Sequence, residues 1–280
     1  MNDHAFAWQI GGHSSAYHAC QLDRALRGIR RAGFSFVELA GIPGWVQHVK
    51  FDAEQPVHQL LARYELQAVS VSAHSDLTTE DGVTFLLRAI EWASRNDVPI
   101  INTAVGGHSG SEESIETFLA FVPAIDRAAR RAGVVVGLET HGGIMASAVE
   151  SVRLLARIGS PRIRLTYDTG NVAYFAGVRA VDDLPIALDY LACVHLKDHV
   201  GPKGQWNFPA LGDGDVDIAG VLRLLREAAF AGPCSVELDF GGAPWPPAPV
   251  VDYSMRRSAR FLAAQGVAVR GAARLRRPEV

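Results

Sequence analysis

Four side chains of metal-ligand type stand where short apolar runs of this sequence stop. Glu139 closes VVVGLE, Asp168 closes RIRLTYD, His195 lies near the end of ACVHLK, and Glu237 near the end of PCSVELD. Three carboxylates and one imidazole form an oxygen-rich donor set that suits Mn²⁺, Mg²⁺ or Co²⁺, whereas a structural zinc site would favour thiolates. A divalent ion so held can keep open positions for a carbonyl oxygen and the adjacent hydroxyl. It would polarise the carbonyl and stabilise the enediolate formed when the α-proton leaves. Further candidates cluster beside these four. His141, two residues past Glu139, could contact a hydroxyl or shuttle a proton. Lys197, two past His195, shares that residue's side of the strand and could hold an anionic oxygen or pair with Asp198. Asn171 either binds substrate or fixes the turn after Asp168.

Groups so remote in sequence meet only if the chain gathers the ends of consecutive strands, and the patterning provides for this. Apolar runs at residues 6–11, FSFVELA, QAVSVSAH and PIINTAV precede the four already named. Between them run amphipathic segments: ALRGIRRAG, closed by Gly33 as a C-cap; VHQLLARYEL; TTEDGVTFLLRAIEWASRN, with acidic residues in its first turn; and SEESIETFLAFVPAIDRAARRAG. Residues 147–158, LPIALDYL, IAGVLRLLREAAFAG and residues 253–265 complete the helical set. Eight strand–helix pairs on short links predict an α/β fold, a (β/α)₈ TIM barrel, whose active site forms at the C-terminal strand ends. An open doubly wound sheet would carry a glycine-rich phosphate fingerprint after its first strand, and none is present. One domain over residues 1–280 is expected, with the barrel at about 5–265 and a C-terminal tail at 266–280.

Residues 137–143 (GLETHGG), 166–171 (TYDTGN), 195–199 (HLKDH), 210–217 (ALGDGDVD) and 235–239 (SVELD) together resemble the xylose-isomerase-like sugar phosphate isomerase/epimerase family. FVELAG and VSAHSDL match its second and third strands, and the resemblance spans roughly residues 5–265. It implies one divalent ion, Mn²⁺ foremost, on Glu139, Asp168, His195 and Glu237, and a carbohydrate substrate. It also implies that Glu139 and Glu237 flank that substrate as an acid/base pair. A carboxylate bound to a cation is a weaker base, so strained or outer-sphere geometry must compensate. Trp8, Trp45 and Trp206 could then stack on a sugar's C–H face or pack in the core.

The same superfamily contains apurinic endonucleases with three zinc ions, and here the sequence departs. Asn171 replaces a further histidine ligand, and NFPALGDG lacks the aspartate–histidine pair expected ahead of its glycine. His74 and His108, without those partners, are left as substrate-binding candidates with Asn171, Lys197 and Trp206. HLKDH followed by LGDGDVD resembles inosose dehydratases as well. A metal-dependent lyase of a keto-polyol is therefore the alternative to an isomerase or epimerase; a non-catalytic metal- or sugar-binding barrel is a reading from a different class, and a DNA-repair nuclease is the third option.

Composition narrows the partners. A formal charge of −3 gives no basic excess for tracking phosphates, so no nucleic acid is expected. Three scattered cysteines without a CxxC spacing read as core thiols of a reducing compartment. No signal-peptide pattern opens the chain and no run approaches 18 apolar residues, so a cytoplasmic protein without a membrane span is expected. A homo-oligomer is left open. Residues 199–210 and the proline-rich residues 241–251 are the long loops over the site, the second a stiff wall or a subunit contact.

Overall fold

The computed structural model describes residues 8–106, 111–241 and 244–269. Eight parallel strands close a barrel among them: β1 (Ile10–His13), β2 (Phe36–Ile42), β3 (Gln67–Ser72), β4 (Ile100–Thr103), β5 (Val135–Glu139), β6 (Ile163–Asp168), β7 (Leu191–Leu196) and β8 (Cys234–Val236). Closure is direct, since β1 pairs with β2 at Gly11 opposite Phe36 and with β8 at Ile10 opposite Cys234. A two-residue antiparallel strand, Val46–Gln47, folds back on the end of β2. Register levels the functional positions, because Glu139 lies opposite Thr166, Asp168 opposite His195, and His195 opposite Ser235.

The outer layer is α1 (Leu22–Ala32), α2 (Val57–Arg63), α3 (Glu80–Arg95), α4 (Glu112–Ala132), α5 (Ala148–Ile158), α6 (Ile218–Glu227) and α7 (Ala248–Ala264). Each presents an apolar stripe to the barrel; α1 buries Leu22, Ala25, Leu26 and Ile29 at helical spacing. A fully buried leucine contributes about 1.5–3 kcal/mol of apolar transfer, so these stripes outweigh the modest intrinsic helix propensities. Local signals set the ends. Gly33 takes φ 110° after α1, and the Thr79 hydroxyl caps α3 by accepting from the Gly82 amide at 3.1 Å.

Three expectations are corrected. The first strand runs Ile10–His13, not 6–11, because its partners begin at Phe36 and Cys234; Phe6 and Ala7 lie outside the described residues. LPIALDYL forms two separate 3₁₀ turns, Leu184–Ile186 and Leu188–Tyr190, instead of a helix. Pro185 has no amide hydrogen to continue the ladder from the preceding turn. The last helix begins at Ala248, so the proline-rich loop is shorter than its composition suggests.

The first and last helices are locked together where the barrel closes. The Tyr17 hydroxyl and both Arg24 terminal nitrogens donate to Asp252, at 2.9, 3.0 and 2.6 Å. Gly28, inside α1, makes room for this clasp, since a Cβ there would sit 2.1 Å from the Tyr17 hydroxyl oxygen. Gly28→Ala is therefore expected to lower the melting temperature, although alanine normally gains about 1 kcal/mol over glycine in a helix. A melting curve at or above wild type would contradict this packing.

Candidate metal centre

Glu139 is the last residue of β5, Asp168 the last of β6, and His195 the penultimate residue of β7, while Glu237 directly follows β8. One ligand atom from each lies within 4.8 Å of the others. His195 Nδ1 stands 2.9 Å from Glu237 Oε2, 3.6 Å from Glu139 Oε1 and 3.8 Å from Asp168 Oδ2. Glu139 Oε2, Asp168 Oδ2 and His195 Nδ1 are buried yet have no aligned hydrogen-bond partner. Buried carboxylate oxygens left in this way are strongly destabilising. A cation among them would satisfy all three, so this donor set fits a divalent ion.

Neighbouring side chains fix the four in place. The Asp168 Oδ1 accepts from the Gly170 and Asn171 amides, both at 2.8 Å, which turns the chain into a helical turn at Thr169–Asn171. The Asn171 side-chain amide donates to Glu139 Oε1 at 2.9 Å, and His74 Nε2 reaches Glu139 Oε2 at 2.8 Å. Lys197 is fully enclosed, with Nζ 2.9 Å from Glu237 Oε1, 2.7 Å from Asp239 Oδ2 and 4.4 Å from the Phe208 ring centroid.

Charge follows this layout. Burial pushes the Asp168 carboxyl up to about 8, helped by the Glu237 and Glu139 charges and opposed by Lys197. Burial works the same way on Glu237, yet Lys197 and His195 hold it well below the usual carboxylate range. For His195 burial disfavours the imidazolium, but the Glu38, Glu139 and Glu237 charges outweigh it and raise the group well above its ordinary value. Burial takes His141 the other way, down to about 4, with the Glu139 charge opposing.

Of the sequence candidates, His74, Asn171 and Lys197 join the centre. His141 meets His74 edge-on, ring centroids 5.5 Å apart, and lies against Phe175 at 5.2 Å. His108 lies outside the described residues. Asn171 is 1% exposed, with its backbone amide held by Asp168 and its side-chain amide engaged with Glu139. The Lys197–Asp198 pair does not form. Asp198 instead accepts from the amides of His199, Gly212, Gly214 and Val216, which ties down the loop after β7. Gly214 is part of that tie, because a Cβ there would fall 2.2 Å from Asp198 Oδ1. Trp8 packs at the opposite end of the barrel, its indole nitrogen donating to the Phe230 carbonyl at 2.9 Å.

Trp45 and Trp206 stand at the mouth, 44% and 38% exposed, with ring centroids 6.4 Å apart. Trp245 and His18 continue the rim on one side of Trp45, Tyr174 and Phe175 on the other side of Trp206. Tyr174 and Phe175 project from a π-helical turn, Val172–Ala176, directly after Asn171, a distortion that often accompanies functional sites. Sequence reasoning missed Glu38, His13, Asn102 and Asp239. Asp239 carried a signal, since it follows Glu237 at the same two-residue interval by which Lys197 follows His195.

A closed parallel barrel with carboxylates and an imidazole gathered at its C-terminal strand ends defines a TIM-barrel protein with a candidate divalent-cation centre. The model of the xylose isomerase-like TIM barrel family matches residues 26–262, and the chain belongs to that family. It is 25% identical over 252 residues to an L-ribulose 3-epimerase of Methylomonas sp. (strain DH-1), covering 82% of this chain and 84% of that one. Its fold is similar to a D-allulose 3-epimerase from Methylomonas sp. (TM-score 0.73, 21% identity, 92% of this chain and 98% of the other). It is likewise similar to a xylose isomerase-like TIM barrel protein from Mycobacterium smegmatis in complex with magnesium (TM-score 0.72, 16% identity, 94% and 99% covered). Among the described residues no helix is long and apolar enough to cross a membrane.

Proposed function

We propose that this protein is a divalent-metal-dependent epimerase of a keto-sugar, acting at the carbon beside the carbonyl through an enediolate. The observation that carries this reading is the pair of glutamates, buried Glu139 and half-buried Glu237, brought from opposite ends of the ligand series to one centre, each with its own fixed partners. The likeness to an L-ribulose 3-epimerase supports a ketose and its C3 position.

Glu139, Asp168, His195 and Glu237 would hold the ion, with Mn²⁺ favoured by the oxygen-rich donors. When bound it supplies Lewis-acid stabilisation of negative charge on the substrate oxygens. One glutamate, ionised, would take the proton from C3, and the other, having first taken up a proton from solvent, would give that proton to the opposite face. Asn171 and His74 orient Glu139, while Lys197, itself braced by Asp239, orients Glu237. Lys197 is thus a positioning group for Glu237 more than a grip on an anionic substrate oxygen. His141, neutral at physiological pH, suits a hydrogen bond to a sugar hydroxyl better than the role of a cationic acid. The aromatic rim at Trp45 and Trp206 offers apolar faces to the sugar's C–H groups.

The test is a proton NMR time course in D₂O with Mn²⁺ and a panel of L-ribulose, D-allulose, D-fructose and keto-inositols. The expected result is a C3 epimer of a ketose, deuterated at C3. Vinylic signals would mean elimination and replace this reading with a lyase. Silence on every substrate would favour a binding protein.

A further inference from the structure

The interior of the barrel beneath the centre is polar where branched apolar side chains usually fill such a layer. Glu38, on β2, is 0% exposed. Ser70 Oγ donates to its Oε2 at 2.9 Å, and Ser72 Oγ and the Asn102 amide both donate to its Oε1 at 2.7 Å. His195 Nε2 lies 3.1 and 3.2 Å from the same two oxygens. Both serines and the asparagine thus point hydrogens at the carboxylate, and two imidazoles complete its surroundings: His195, and His13, whose Nε2 lies 3.3 Å from Oε1.

Donor directions extend outward from there. The Ser15 amide donates to His13 Nδ1 at 3.1 Å, so that nitrogen bears no proton and the imidazole hydrogen sits on Nε2. His13 Nε2 donates to Ser72 Oγ at 2.9 Å, which leaves the Ser72 hydroxyl hydrogen for Glu38. On the other side the Thr166 hydroxyl donates to Asn102 Oδ1 at 2.6 Å, which turns the Asn102 amino group toward Glu38. Gly137 leaves space for that bridge, since a Cβ there would lie 2.1 Å from Thr166 Oγ1 and 2.8 Å from Asn102 Oδ1.

We propose that Glu38 is the positioning residue of the centre: it accepts the Nε2 hydrogen of His195 and so fixes that ring's tautomer and tilt, directing the Nδ1 lone pair at the cation. This rests on the reading that Glu139, Asp168, His195 and Glu237 hold a divalent ion. Carboxylates bonded to the far nitrogen of a ligating histidine recur in metal sites, where they raise ligand basicity and fix orientation. A competing arrangement is a second ion on His13, Glu38 and His195, whose ligand atoms also come within 4.8 Å of one another. The hydrogen-bond directions oppose it, because His13 Nε2 carries a proton and both Glu38 oxygens are already bonded. Orphaned atoms occur only in the upper group of the two.

The test measures Mn²⁺ binding to the full chain by the EPR signal of the free ion, and Co²⁺ binding by visible absorption, for wild type, Glu38→Gln and Ser72→Ala. Circular dichroism of the metal-free proteins checks folding. Wild type is expected to bind one ion. Glu38→Gln should weaken Mn²⁺ affinity by about 10–100-fold and shift the Co²⁺ bands, a change that loss of packing alone would not produce. Ser72→Ala, which leaves Glu38 present but removes one of its donors, should weaken binding by a smaller factor; it decides the matter if Glu38→Gln does not fold. Wild-type affinity and an unshifted spectrum in a folded variant would overturn the proposal. So would two ions in wild type and one in Glu38→Gln. A wild-type chain that binds no ion at all would instead remove the metal reading beneath it.

Discussion

Glu139→Gln and, separately, Glu237→Gln are expected to lower kcat for C3 epimerisation by about 10²–10⁴-fold, the range that a positioned acid or base contributes. Glutamine keeps the shape of each side chain and removes its capacity to take a proton. Because each glutamate would serve as acid in one direction and base in the other, both variants should fail in both directions. The two should nevertheless differ in detail. Glu237 sits against Lys197 at 2.9 Å, so its loss leaves a buried ammonium with Asp239 as its nearest partner. Glu139 faces the uncharged Asn171 amide and His74, and a glutamine carbonyl in its place can still accept from Asn171. Glu237→Gln should therefore be the less stable variant. Turnover within tenfold of wild type in either protein, measured in D₂O under saturating ketose, would remove that glutamate from the acid/base pair.

Removal of the metal is the second large effect. Dialysis against a chelator should abolish turnover, and Mn²⁺, Co²⁺ or Mg²⁺ should restore it. At a free ion concentration of 100 Kd the folded state should gain about 2.7 kcal/mol, visible as a higher melting temperature. At a fixed ion concentration the gain should grow with pH. Asp168 titrates near 8 without the ion and His195 stays protonated well above its ordinary value, so binding must expel protons from both. Affinity should then rise as pH increases toward 8, by about tenfold per unit for each proton released. The Asp168 contribution to metal-free stability has the opposite sign. Its folded value lies above its unfolded one, so the folded state binds the extra proton and loses stability as pH rises from about 4 to 8. Equal affinities at pH 6 and pH 8 would contradict this.

The convergence of Glu139, Asp168, His195 and Glu237 was legible in the sequence because each stands at or near the end of an apolar run, and parallel register converts that linear position into a shared level. Helix ends were legible where one residue sets the geometry, as Gly33 does. Side-chain pairing was less so. Lys197 and Asp198 are adjacent in sequence, but neighbours on an extended chain point to opposite faces, so one enters the centre and the other ties the loop. The layer below the centre escaped for another reason. Glu38 and Asn102 stand in the apolar runs FVELA and IINT, and their partners come from strands that only barrel closure brings together. A charged residue inside a strand buried on both faces was the available signal. The segment LPIALDYL has helical composition, but Pro185 cannot continue the preceding turn and the segment breaks again at Ala187 into two 3₁₀ turns.

Anomalous diffraction from crystals of the full chain grown with Mn²⁺ would locate the ion itself. One strong peak is expected at bonding distance from Glu139, Asp168, His195 and Glu237 together, with Glu38 on the far nitrogen of His195. No peak there, or a peak seated on His13 and Glu38 instead, would contradict a single cation held by the last four strands.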